Sequence, residues 1–97
     1  MYRIGYAEDI HRLVSGRRLM LGGLEIDAPY GEEAHSDGDV LLHAISEALL
    51  GALALGDLGT HFPSYLKETK DLDSKVFLLE TICMVRDLGC EIVNIDS

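Results

Sequence analysis

Positive charge is scarce in this sequence: 8 lysines and arginines stand against 17 acidic residues, for a formal net charge of −9. No basic cluster exceeds Arg17-Arg18, which excludes the phosphate-tracking surface of a nucleic-acid binder. Cysteine is nearly as scarce. Cys83 and Cys90 are the two present, without Cys-x-x-Cys spacing. One falls inside an expected helix and the other after it, so both read as free thiols of a reducing compartment. No apolar run approaches the length of a membrane span, and Met1-Tyr2-Arg3 leads straight into a strand-like run with no visible targeting signal. Internal repeats and low-complexity stretches are absent. What remains is a chain of 97 residues, 47% hydrophobic, which suits one small domain rather than a disordered segment. If so acidic a chain binds an anion, backbone N–H groups, local cations or a bound metal must do it.

The stretch His35-Ser36-Asp37-Gly38-Asp39-Val40-Leu41-Leu42-His43 organises the rest. Its pattern predicts a helix from about Asp37 to Leu53, with Ser36 as N-cap and Asp39 completing a box-like pattern three residues on. Gly56 is the expected stop. At about 100° per residue, Asp39, His43, Ser46 and Glu47 share one narrow arc. Val40, Leu41, Ala44, Ile45, Ala48, Leu49 and Ala52 cover the other faces. His43 is therefore aimed along a polar seam of an otherwise apolar helix, near a helix N-terminus suited to anions. A histidine so placed is a candidate metal ligand or acid–base group.

In chain order, Tyr2 to Tyr6 reads as a short strand that runs on into Asp9-Ile10-His11. In extended backbone Asp9 and His11 point to the same side, either as a metal-ligand pair or as ordinary surface residues at a strand end. Val14 to Arg17 reads as a turn. Arg18 to Leu21 and Leu24 to Asp27 read as a hairpin around Gly22-Gly23. The segment from Pro29 to Ala34 reads as a polar loop. Asp57, between Gly56 and Leu58-Gly59, either presents its carboxylate to a ligand hydroxyl or caps the turn. His61 reads as an exposed loop residue. Asp73 or Ser74 can cap a second helix ending at Gly89. Phe77, Leu78, Ile82, Met84, Val85 and Leu88 form its apolar face, read as core. Cys90 to Asp96 reads as a final strand. The fold class expected is α/β (α+β), a small mixed sheet with helices packed on one face.

Taken together, Ile4-Gly5, Asp9-Ile10-His11, Leu21-Gly22-Gly23, His35-Ser36-Asp37-Gly38-Asp39 with His43, Leu49-Leu50-Gly51-Ala52, Gly56-Asp57-Leu58-Gly59 and Phe62-Pro63 carry a resemblance. In order and spacing they resemble the 2-C-methyl-D-erythritol 2,4-cyclodiphosphate synthases of the non-mevalonate isoprenoid pathway. Asn94-Ile95-Asp96-Ser97 is similar to the family's next strand. The resemblance implies a lyase acting on 4-diphosphocytidyl-2-C-methyl-D-erythritol 2-phosphate. The 2-phosphate would attack the β-phosphate, expel CMP and close a cyclic diphosphate. It implies a divalent metal, Zn2+ in most members, held by Asp9, His11 and His43, with an open position for a substrate phosphate oxygen.

The resemblance also places the substrate. Asp9, Ile10 and His11, then His35 and Ser36, match positions at the phosphates, and His35 matches a catalytic position that stabilises the transition state. Asp57, Leu58 and Gly59 match the part that holds the methylerythritol hydroxyls. Phe62, Pro63, Ser64, Tyr65 and Leu66 match a flanking substrate loop. The chain departs from the family at Ala7-Glu8, where glycine and an aromatic are usual, and at Ser64, where aspartate is usual. Family chains also continue well beyond this length. The sequence is therefore expected to be the N-terminal portion of a trimer-forming domain. The cytidine pocket, a catalytic threonine and a glutamate for a second metal, Mg2+, would lie in the remainder. A homotrimer without nucleic-acid or membrane partners is implied, located in the cytoplasm or, in a plastid-bearing source, the stroma. The alternative reading is a non-catalytic divalent-metal or anion-binding module that keeps the metal half of the site.

Overall fold

A computed structural model describes residues 1–63 and 70–97. Four strands come first: β1 (Leu13–Ser15), β2 (Leu19–Leu21), β3 (Leu24–Ile26) and β4 (Tyr30–Glu32). Among the described residues three helices follow: α1 (Val40–Ala52), the single turn α2 (Leu58–His61) and α3 (Ser74–Asp87). The strands pair antiparallel, β1 with β4 and β2 with β3. Helices α1 and α3 pack on each other, and α1 also meets β2.

The β2–β3 hairpin is the one expected around Gly22-Gly23. Both glycines have positive φ, 64° and 82°, as a two-residue turn matching the strand twist requires. The β1–β4 ladder was not expected. Leu13 pairs with Glu32 and Ser15 with Tyr30, so part of the anticipated turn and part of the anticipated polar loop are strands. The α/β class stands, but among the described residues the strands form two separate ladders rather than one mixed sheet. Tyr2–Tyr6 and Cys90–Asp96, both read as strands, form no ladder among the described residues. Residues 2–6 lie instead along α1. Arg3 donates to the Ala52 carbonyl at 3.4 Å. A Cβ on Gly5 would overlap the Ala48 carbonyl oxygen and stand 2.9 Å from the Ala52 Cβ, so only glycine allows this approach.

Helix α1 starts later than expected. Its N-cap is Asp39, not Ser36, and Asp39 accepts from the Leu42 N–H. The cause is Gly38, whose φ of 84° ends the preceding loop in a left-handed turn. Asp39 is fully buried because it has a second task. Its two carboxylate oxygens accept the N–H groups of Gly22 and Gly23, at 3.0 and 2.6 Å. The hairpin turn is thereby fastened to the start of α1.

Helix α3 is capped by Asp73, which accepts from Lys75. Two backbone bonds tie the loop before α1 to the approach to α3: Asp37 N–H to Leu72 O at 3.0 Å and Asp71 N–H to His35 O at 2.6 Å. Phe77 and Val85 are the buried apolar residues of α3, and Leu42 and Leu50 those of α1. Leu88, expected in the apolar face, is 56% exposed because it caps the helix C-terminus. Cys83 and Cys90 are both free thiols.

Candidate metal centre

The polar seam of α1 is resolved residue by residue. Asp39 is spent on the hairpin. Ser46 is buried and returns its hydroxyl to the Leu42 carbonyl at 2.8 Å, the self-bonding common for serine inside helices. That leaves His43 and Glu47 facing a cavity of about 270 Å³. Asp9 and His11, from the segment beyond the Gly5 contact, meet His43 there. Asp9 Oδ2 lies 3.1 Å from His11 Nε2 and 3.4 Å from His43 Nδ1. One carboxylate oxygen and two ring nitrogens fall within 4.8 Å of one another. The two imidazoles meet edge to face at a centroid distance of 5.1 Å.

The protonation pattern suits a cation. His11 Nδ1–H donates to the Gly38 carbonyl at 2.8 Å, so in the neutral ring the lone pair is on Nε2, aimed at the Asp9 carboxylate. Two acceptors facing each other at 3.1 Å are satisfied by a positive charge between them. Burial, and then the neighbouring His11, push His43 below the usual histidine pKa against the pull of Asp9, Asp37 and Asp39. A ring kept neutral is a ring able to ligate. A carboxylate–imidazole–imidazole set therefore fits a divalent metal, with the cavity beside it.

The other candidate residues separate into groups. His35, Ser36, Leu58, Gly59 and Phe62 line the same cavity as the three ligand candidates. Ser36, although not the helix cap, stands with its hydroxyl 3.3 Å from His43 Nε2 and its carbonyl accepting from Arg17 at 2.7 Å. Ile10 is 88% exposed and does not line the cavity. Asp57 caps α2, accepting the Thr60 N–H and hydroxyl at 2.9 Å, and those bonds hold it below the usual carboxylate range. It does not line the cavity. Pro63 is half-buried. Ser64, Tyr65 and Leu66 lie outside the described residues. His61, exposed as expected, donates to the Leu55 carbonyl at 2.7 Å.

Sequence reasoning missed three participants. Phe77, read only as core, lines the cavity and packs on both His43 and Phe62, at centroid distances of 5.4 and 4.8 Å. Ser74, read as a possible cap, bonds His43 Nε2 at 2.8 Å. Glu32, read as loop, is buried behind Gly38. For Phe77 the signal was available, as an aromatic on the α3 face toward α1. The other two depend on contacts distant in sequence.

Fold and site together define a small α/β unit whose first loop segment and first helix close a carboxylate–histidine–histidine group at the mouth of a cavity. The YgbB family model matches residues 2–97, and the chain belongs to that family. It is 50% identical over its whole length to a 2-C-methyl-D-erythritol 2,4-cyclodiphosphate synthase of Fusobacterium nucleatum, of which it covers 61%. It is 52% identical over 95 residues to the enzyme of the same name from Prosthecochloris aestuarii, covering 98% of this chain and 60% of that one. A solved structure titled as 2C-methyl-D-erythritol-2,4-cyclodiphosphate synthase in a CDP-bound form superposes with a TM-score of 0.83 at 49% identity. That match covers 90% of this chain and 58% of the other. The chain thus spans about three fifths of the length of these relatives.

Proposed function

We propose that the protein carrying this sequence is a divalent-metal-dependent phosphorus–oxygen lyase of isoprenoid biosynthesis. It would convert 4-diphosphocytidyl-2-C-methyl-D-erythritol 2-phosphate to 2-C-methyl-D-erythritol 2,4-cyclodiphosphate and CMP. The observation that carries this reading is the convergence of Asp9, His11 and His43 within 4.8 Å, in a chain half identical to enzymes of that name. The 97 residues then form the N-terminal portion of a cyclodiphosphate synthase-like domain, cytoplasmic and homotrimeric when whole.

In this reading Asp9, His11 and His43 would hold the divalent metal, Zn2+. When bound, the metal supplies positive potential at a substrate phosphate oxygen. His35 and Ser36, on the cavity wall, bind the phosphates and hold them in line, which is most of what phosphoryl transfer asks of a protein. A 2-phosphate oxygen bonds to the β-phosphorus, the bond from that phosphorus to the bridging oxygen breaks, and CMP leaves with the electron pair. Leu58 and Gly59 line the cavity and would receive the methylerythritol unit, and by the resemblance Asp57, next to them in sequence, would hold its hydroxyls. Phe62 stands on the same wall, and by the family resemblance Ile10, Pro63, Ser64, Tyr65 and Leu66 would add further substrate contacts. Phe62 and Phe77, with ring centroids 4.8 Å apart, form an apolar part of the cavity wall.

The test is turnover by the whole protein with Zn2+, following CMP and cyclic diphosphate together by phosphorus NMR. Equal release of both is expected. His43→Ala should lose its metal at stoichiometry, with activity down about 100-fold or more. Turnover unchanged by chelation, or His43→Ala retaining full metal, overturns the reading. Stoichiometric metal without any CMP release leaves the non-catalytic metal- or anion-binding module instead.

A further inference from the structure

His43 has two ring nitrogens, and only one faces the candidate metal group. The other, Nε2, lies 2.8 Å from the hydroxyl of Ser74. Ser74 is the first residue of α3 and is fully buried. Its hydroxyl donates in a short bond to Asp37 Oδ1, and its backbone N–H donates to Asp37 Oδ2 at 3.0 Å. Asp37 also accepts the Asp39 N–H at 3.0 Å. The carboxylate is thus fixed from three directions and can only accept.

A serine hydroxyl carries one hydrogen. Here Asp37 takes it, so the Ser74 oxygen faces His43 as an acceptor. The ring must then carry its proton on Nε2, which leaves the Nδ1 lone pair toward Asp9. The Ser36 hydroxyl, 3.3 Å from the same Nε2, already accepts the Gly38 N–H at 3.3 Å, and its second acceptor site agrees with this assignment. The opposite tautomer would set the Nε2 lone pair against the Ser74 oxygen at 2.8 Å, two acceptors face to face in a buried site, with only the longer 3.3 Å contact to the Ser36 hydroxyl left to supply a proton.

We propose that Ser74, oriented by Asp37, is a positioning residue that fixes the tautomer and ring orientation of His43, so that Nδ1 is presented to the metal. This inference rests on reading Asp9, His11 and His43 as a metal centre. It makes the start of α3 an outer support of a site otherwise built from the first segment and α1. Partners of this kind change metal affinity by about 10- to 100-fold when removed.

The experiment uses the whole protein in three forms: native, Ser74→Ala and Ser74→Thr. Zinc affinity is read by competition with a chromophoric chelator. The tautomer of neutral His43 is read in the metal-free protein from the 15N shifts of its ring nitrogens. Expected are Nδ1 unprotonated in the native protein, zinc binding about 10- to 100-fold weaker in Ser74→Ala with unchanged circular dichroism, and recovery in Ser74→Thr. Native-like affinity together with an unchanged tautomer in Ser74→Ala overturns the inference and leaves the metal centre standing. If native protein takes up no zinc, the metal reading fails, and the tautomer measurement still decides the role of Ser74. If Ser74→Ala does not fold, His43 protonated on Nδ1 in the native protein overturns the proposal, and protonation on Nε2 supports it.

Discussion

Glu32 sits where a carboxylate is least comfortable. It is 2% exposed, and neither side-chain oxygen has a hydrogen-bond partner among the described residues. Burial, and then the charge of Asp39, push its pKa up to about 7. The folded protein therefore favours the protonated form, whereas the unfolded chain ionises near 4.5. Between those values the native state binds the extra proton, so stability falls as pH rises. The contribution is complete below the unfolded value and is gone once pH passes the folded one. Glu32→Gln cannot titrate and should flatten this part of the profile. The difference between the two proteins across the window should reach at most about 3 kcal/mol, one pKa unit being about 1.4 kcal/mol. Urea midpoints of both proteins through the interval from 4.5 to about 7 provide the check. Parallel profiles would show that Glu32 is ionised and partnered in solution.

At the level of elements, Asp39 joins two pieces that the chain separates. An ordinary N-cap contributes about 1 kcal/mol. Asp39 accepts three backbone N–H groups, from Gly22, Gly23 and Leu42, in full burial. Asp39→Ala would strand the hairpin donors as well as the helix donor, so we expect a loss of about 3–4 kcal/mol. Amide exchange should then accelerate in the β2–β3 turn as well as in the first turn of α1. A loss near 1 kcal/mol, confined to the helix, would mean the hairpin holds itself. The helices were legible because period and caps are local signals: α1 and α3 lie inside their expected ranges, and Asp73 caps α3. The start of α1 was misjudged because Ser36, with Asp39 three residues on, fits a box-like pattern on paper, whereas Asp39 as cap has Leu42 in that place. The left-handed turn at Gly38 decides between them. The β1–β4 ladder was illegible for a different reason. Tyr30-Gly31-Glu32 has the composition of a loop, and its partner lies across the whole hairpin. Type and spacing made Asp9 with His11, and separately His43, ligand candidates, and the family resemblance joined them into one set, but Ser74 reaches His43 across 31 residues, and no local pattern announces such a contact.

For the molecule as a whole, the burden falls on its two terminal segments. Tyr2, Ile4, Tyr6 and Ile10 are 85%, 92%, 77% and 88% exposed, and Val93 is 78% exposed. Apolar side chains so placed cost stability in water unless covered. The buried apolar residues among those described are four: Leu42, Leu50, Phe77 and Val85. That is a thin core for a chain of which 47% is hydrophobic. The relatives are longer, the chain spanning 61% of one of them. On the function proposed above, additional chain and subunit contacts would cover these segments. Asp9 and His11 follow directly on the N-terminal segment, so its order and the metal group are mechanically linked. We therefore expect the isolated 97-residue polypeptide to bind a hydrophobic dye such as ANS and to hold zinc weakly. It should release no CMP above background. The whole protein should bind little dye, sediment as a trimer and turn over. Sedimentation velocity, dye fluorescence and CMP release on both samples make the comparison. An active monomer of the whole protein would sink the trimer. Robust metal-dependent turnover by the 97-residue polypeptide would show that the exposed segments need no cover, and that Asp9, His11, His35 and His43 with their cavity are a sufficient catalyst.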